Sequence, residues 1–147
     1  MRIILSFLIL TFFAAPAQAQ KEDKAIKAVI NRFFEAMEKG DTALIRRTCT
    51  ANPVFQTYMT DRQGQLNVIT QDFEEFVRFV GTPKTDRYRE EIRFGAIQYE
   101  AQLASVWTPY TFYVNGKPSH SGANSFQLVK TPEGWKIQYI IDTRRRS

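Results

Sequence analysis

The chain has 147 residues, enough for one domain with a substantial core. Its formal charge of +5 is spread over Arg46-Arg47, Arg87-Arg89-Arg93 and Arg144-Arg145-Arg146, and Asp86, Glu90 and Glu91 interrupt the middle set, which argues against a nucleic-acid footprint. Cys49 is the single cysteine, so no internal disulfide is available and stability has to come from packing.

The first stretch pairs Arg2 with a nearly all-apolar run from Ile3 to Ala15 and ends in the small-x-small signal Ala17-Gln18-Ala19. This reads as a secretory signal peptide over residues 1–19, cut between Ala19 and Gln20. An uncleaved anchor is the alternative, but the run is short for a bilayer. Cleavage would remove Arg2 and leave a charge of +4 on the domain of residues 20–147, exported to the periplasm or beyond, with no stable membrane insertion. No cysteine follows the run, so lipid attachment is not expected.

Lys21 to Lys39 has the spacing of a helix, with Ile26, Val29, Ile30, Phe33 and Met37 on one stripe and Gly40 to stop it. Asp41 can cap a short second helix to Arg47. Cys49 suits a buried thiol better than a nucleophile. Val54 to Met59 and Leu66 to Ile69 read as strands on either side of a turn at Asp61 to Gly64. Thr70 can cap a third helix through Val80, buried along Phe73, Phe76, Val77 and Val80 and ended by Gly81 and Pro83. From Asp86 onward the chain is all strand. Arg87 to Gln98 alternates, with Tyr88, Glu90, Ile92 and Phe94 on one side. Leu103 to Val114 is the longest strand-forming run, and Asn115-Gly116 is a strong hairpin signal. Thr131-Pro132-Glu133-Gly134 turns the last hairpin. Helices first and an antiparallel meander after predict an α+β fold, its helices packed in the concave face of a strongly curved sheet, a cone with an internal pocket.

Register follows from the two turns. Lys130 opposite Trp135 puts Leu128 with Ile137, Phe126 with Tyr139 and Asn124 with Ile141 on a dry face, and Asp142 on the wetter one. Val114 opposite Lys117 puts Thr111 with His120 and Trp107 with Asn124, and Glu90 then falls beside Thr111. A row Glu90-Thr111-His120 results, spanning roughly 10 Å from first strand to last at about 4.8 Å per strand. With Asn124 it would supply the polar groups of a pocket lined by Trp107, Tyr113 and Tyr88. Against this, His120 at a strand end also suits a structural or exposed role, and Trp107 suits core packing. Tyr58 and Asp142 rank second, Asp142 first as an ion-pair residue unless a bulge re-aims it. The wetter face would carry Val106, Tyr110, Phe112 and Ile140 among small polar residues, a mixture that suits a homodimer interface.

Val106-Trp107-Thr108-Pro109-Tyr110, Phe112-Tyr113, Ser119-His120-Ser121-Gly122, Phe126-Gln127-Leu128, Gly134-Trp135-Lys136-Ile137 and Asp142-Thr143-Arg144, in this order of elements, resemble the nuclear transport factor 2-like superfamily, and within it a bacterial branch named for lumazine binding. The resemblance implies the cone fold and a small-molecule ligand. Three functions stay open. A binding module for an apolar or aromatic ligand comes first, then an acid-base isomerase or dehydratase using Glu90 or His120 as catalytic groups, then a dimeric interaction domain with a vestigial pocket. One histidine and one cysteine make no zinc site, and no motif calls for a cofactor.

Overall fold

The computed structural model describes residues 15–61 and 63–146, without the side chains of residues 15–17 and 146. Most of the expected leader lies outside the described residues. The described part opens with helix α1, Ala15–Lys39, so the bond between Ala19 and Gln20 falls inside a helical segment. No helix among the described residues is long and apolar enough to cross a membrane.

Ile26, Val29, Ile30 and Phe33 of α1 are buried as their spacing demands, and Gly40 ends the helix at a φ of 70°. Asp41 caps α2, Thr42–Thr48, by accepting from the Leu44 amide. Helix α3, Phe73–Gly81, is capped by Asp72 rather than Thr70. Thr70 instead ends up in a strand, where it accepts a bond from Gln56. The better acceptor, a carboxylate, sits two residues on and wins the cap.

Among the described residues, seven strands form one sheet in the order β2-β1-β7-β6-β5-β3, with β4 also on β5. They are β1 (Cys49–Thr60), β2 (Leu66–Gln71), β3 (Tyr88–Ile92), β4 (Ile97–Glu100), β5 (Leu103–Val114), β6 (Lys117–Thr131) and β7 (Gly134–Arg146). All pairs are antiparallel except β1 with β7. The expected single run from Arg87 to Gln98 is two strands on one partner, parted where Arg93 and Gly95 bond β5 out of the regular ladder. Helices α1 and α3 cover the inner face of the sheet. Phe33 meets Phe55 edge-on and stacks on Phe76, and Phe34 meets Phe126 edge-on. The fold is α+β as expected.

Two register shifts correct the expected pairing. Val114 pairs with Lys117 and Tyr113 with Pro118, but Phe112 then pairs with His120, leaving Ser119 as an extra residue in β6. Leu128 pairs with Ile137, but Gln127 pairs with Tyr139, leaving Gln138 extra in β7. Each shift lies beside a proline that cannot donate to a ladder. Pro118 precedes the first. Pro53 sits in β1 where that strand breaks register with β7, and Gln138 spans the gap by donating to the Asn52 carbonyl at 3.2 Å.

Candidate functional site

A cavity of about 740 Å³ lies between the inner sheet face, α1, α3 and the segment that follows α3. Its body is walled by Phe33, Phe34, Phe55, Phe76 and Phe126, an apolar lining that follows from the helix stripes and the dry strand faces. Its mouth carries Glu38, Lys39, Lys84, Asp86 and Arg87. Asp86 and Arg87 are fixed there by Asn115, whose side chain donates to Asp86 at 2.8 Å and accepts from the Arg87 amide at 2.9 Å.

The polar end is built by β1, β3, β5, β6 and β7. Glu90 projects inward from β3 because Tyr88, Glu90 and Ile92 alternate with the outward Arg89 and Glu91. Asn124 of β6 is buried and donates to Glu90 Oε1 at 3.0 Å and to the fully buried Thr108 hydroxyl at 3.3 Å. Burial is the main reason the Glu90 carboxyl is pushed up to about 7, and Asp142 adds to it. The Asn124 bond and Arg144 pull the other way.

Asp142 lies opposite Asn124 and lines the cavity. It accepts from Thr57 Oγ1 at 2.6 Å, from the Tyr110 hydroxyl at 3.1 Å and from Arg144 Nε at 3.2 Å. Tyr110 also reaches the Thr143 carbonyl at 3.0 Å, and burial with the nearby carboxylates raises its pKa. Its ring passes over Gly122, where a Cβ would stand 2.8 Å from the ring and 1.8 Å from the Thr143 oxygen. Only a residue without a side chain fits there. His120 also lines the cavity. It stacks on Phe112 at 4.7 Å and meets Tyr110 edge-on at 5.9 Å. Partial burial, then Arg144, lower its pKa, so the ring is neutral at pH 7.

Of the residues expected at the site, Glu90, Asn124, His120 and Tyr88 share this cavity. The row Glu90-Thr111-His120 does not form. Phe112 stands between Glu90 and His120 in the ladder: the extra Ser119 turns β5 over relative to β6, and β3 pairs with β5 one residue off the expected register, Glu90 with Phe112 rather than Thr111. Trp107, Thr111 and Tyr113 therefore leave from the outer face. Trp107 is 48 % exposed there, and Tyr113 lines a separate cleft with Arg87, Arg89 and Glu91. Val106, Tyr110, Phe112 and Ile140, expected outside, face inward. Asp142 is inside rather than on the wetter face, for the corresponding reason in β7. Tyr58 points outward, and its neighbour Thr57 takes the inner position. Sequence reasoning missed Thr57, Thr108, Tyr110 and Arg144. Alternation needed the two extra residues first for Thr108, Tyr110 and Arg144, whereas Thr57 shares the side of the buried Phe55 in β1 and was within reach of it. Cys49 is buried, with its thiol pushed up to about 12, as an inert core residue. No group of three or more potential metal ligands gathers among the described residues.

No family model and no curated protein matches the sequence. Solved structures do. A conserved protein from Planctomyces limnophilus superposes with a TM-score of 0.72 at 18 % identity, over 87 % of this chain and 99 % of its own. An NTF2-like protein of unknown function from Shewanella baltica gives 0.66 at 14 % identity, over 87 % and 97 %. A Novosphingobium aromaticivorans protein described as a "putative aromatic ring hydroxylase" gives 0.64 at 15 % identity, over 87 % and 92 %. With helices on the inner face of this sheet and a cavity between them, the chain carries the nuclear transport factor 2-like fold.

Proposed function

We propose that the protein is an exported binding module that holds a small ligand with an apolar or aromatic body. The observation that carries this reading is the cavity itself: about 740 Å³, phenylalanine-walled, with hydrogen-bonding groups gathered at one end. That volume and that distribution of polarity suit a drug-sized molecule. Native mass spectrometry on protein purified from its own host tests it. A small molecule should travel with the folded protein and leave on denaturation, and the polypeptide mass should begin at Gln20. Protein that is empty in every preparation would count against the reading, and a mass that includes residues 1–19 against export.

A second reading has its own support. A carboxyl held near 7 beside a cavity can both take and give a proton at neutral pH, which suits acid-base catalysis by Glu90. His120 shares the cavity but forms no hydrogen bond with Glu90 among the described residues, so the pair offers no relay. On this reading Glu90→Gln abolishes turnover while ligand affinity persists. The superposed structures support the fold of both readings and neither chemistry.

A further inference from the structure

The cavity holds two carboxylates that the fold treats differently. Asp142 is served by Arg144, Thr57 and Tyr110, and both its oxygens are occupied. Glu90 has no ion-pair partner among the described residues. Its one hydrogen bond is to Asn124, through Oε1, and the second amide hydrogen of Asn124 is spent on Thr108. Oε2 of Glu90 is therefore an open polar group at the inner end, as is His120 Nε2, among the described residues. The groups facing that end are Tyr110 from β5, Asn124 and His120 from β6, and Asp142 and Arg144 from β7. Glu38 and Lys39 of α1, and Lys84, Asp86 and Arg87 after α3, stand at the mouth.

Each charge class of ligand meets this set differently. An anion at the inner end would face two carboxyl groups, and the nearby guanidinium is already engaged by Asp142 and Thr57. An ammonium would meet Glu38 and Asp86 as well as Lys39, Lys84 and Arg87 at the mouth, which neither draws nor bars it, but it would then be desolvated beside Glu90, a cost that a buried ion pair recovers only with full hydrogen bonding. A neutral acceptor meets neither obstacle. Burial favours the protonated form of Glu90, whose O–H can donate to it. The wall beside Glu90 is uncharged too: Tyr88, Phe112 and the neutral His120 ring follow one another, with centroids 5.9 and 4.7 Å apart. Resting on the ligand-pocket reading above, we propose that the pocket selects uncharged aromatic carbonyl compounds, the carbonyl oxygen accepting a hydrogen bond from the Glu90 carboxyl group, and discriminates against amines and carboxylates of the same shape.

Three isosteric probes test this on the full-length protein by calorimetry at about pH 6: 1-acetonaphthone, 1-naphthylmethylamine and 1-naphthoate, which are neutral, cationic and anionic there. The ketone should bind at least about tenfold more tightly than either charged probe. Its affinity should fall as pH is raised to about 8.5, where Glu90 is ionised. Glu90→Gln, whose amide still donates, should keep ketone binding and remove the pH dependence. Amine binding equal to or tighter than the ketone's, or a ketone affinity in the parent protein that does not change with pH, would overturn the proposal and leave the pocket reading standing. Failure of all three probes to bind would remove both. Circular dichroism of Glu90→Gln separates a lost site from a lost fold.

Discussion

At the scale of single residues, Glu90 links pocket chemistry to stability. Its folded-state value of about 7 lies above the ordinary 4.5, so between those limits the native protein holds a proton that the unfolded chain has released. Stability from this group is therefore full below about 4.5 and declines as pH rises to about 7. His120 runs the other way: with its value lowered, the fold loses stability as pH falls through the ordinary histidine range. Urea unfolding at about pH 8 and about pH 5 should show Glu90→Gln more stable than the parent at the higher pH by roughly 1–3 kcal/mol, with the gain gone at the lower. Gly122 is the other decisive position. Gly122→Ala drives a Cβ into the Thr143 carbonyl and the Tyr110 ring, and neither is a free side-chain end. A loss of about 2 kcal/mol or more is expected in the same assay, and Tyr110 should move off Asp142.

At the scale of elements, α1 is held near its start. That part is latched to the β6–β7 hairpin by Glu22, buried where it accepts from Lys130 at 2.7 Å and Trp135 Nε1 at 2.8 Å. Those two donors keep its carboxyl below the usual range. Glu22→Ala should lower the unfolding midpoint and shift Trp135 fluorescence to the red, because the indole loses its partner and gains water. Phe126→Ala, which opens a hole in a fully buried wall beneath Phe34, should cost about 3–5 kcal/mol and be read most directly by chemical denaturation.

These elements also show what was legible beforehand. The helix stripes, the Asn115-Gly116 turn with both residues at positive φ, and the start of the last hairpin follow from local chemistry and stand as read. The inward side of β6 was legible for the same reason, and with it Asn124 and His120; the expected inward side of Glu90 holds because an error of one residue in the expected β3–β5 pairing offsets the inverted side of β5. The inward side of β5 and β7 was not. Parity passes from strand to strand only through an unbroken ladder, and one extra residue inverts everything beyond it. Ser119 does this for Trp107, Thr111 and Tyr113, and Gln138 does it for Asp142. Pro118 and Pro53 marked the places, since neither can donate to a ladder, but a missing donor does not say which strand gains a residue.

At the scale of the whole molecule, the outer sheet face differs in content from the expected one. Trp107, Pro109, Ile141, Tyr58 and Val68 occupy it, with Trp107, Tyr58 and Val68 well exposed. We propose that a second copy covers this face, since aromatic residues around small ones suit a self-complementary interface. Light scattering at micromolar concentration should return a dimer, and Trp107→Glu a monomer with an unchanged circular dichroism spectrum. A monomeric parent protein would remove the proposal.

The one parallel ladder, β1 against β7, has a kinetic consequence. Apart from its own hairpin partner β2, β1 has no neighbour in the sheet among the described residues but the last strand, more than eighty positions later in the sequence, as in Thr57 beside Asp142. The first third of the sheet therefore waits for the C-terminus to emerge from synthesis. Such a high contact order places folding in milliseconds to seconds rather than microseconds. On the export proposed above, the polypeptide would have to stay unfolded until translocation, and this connectivity would supply the delay.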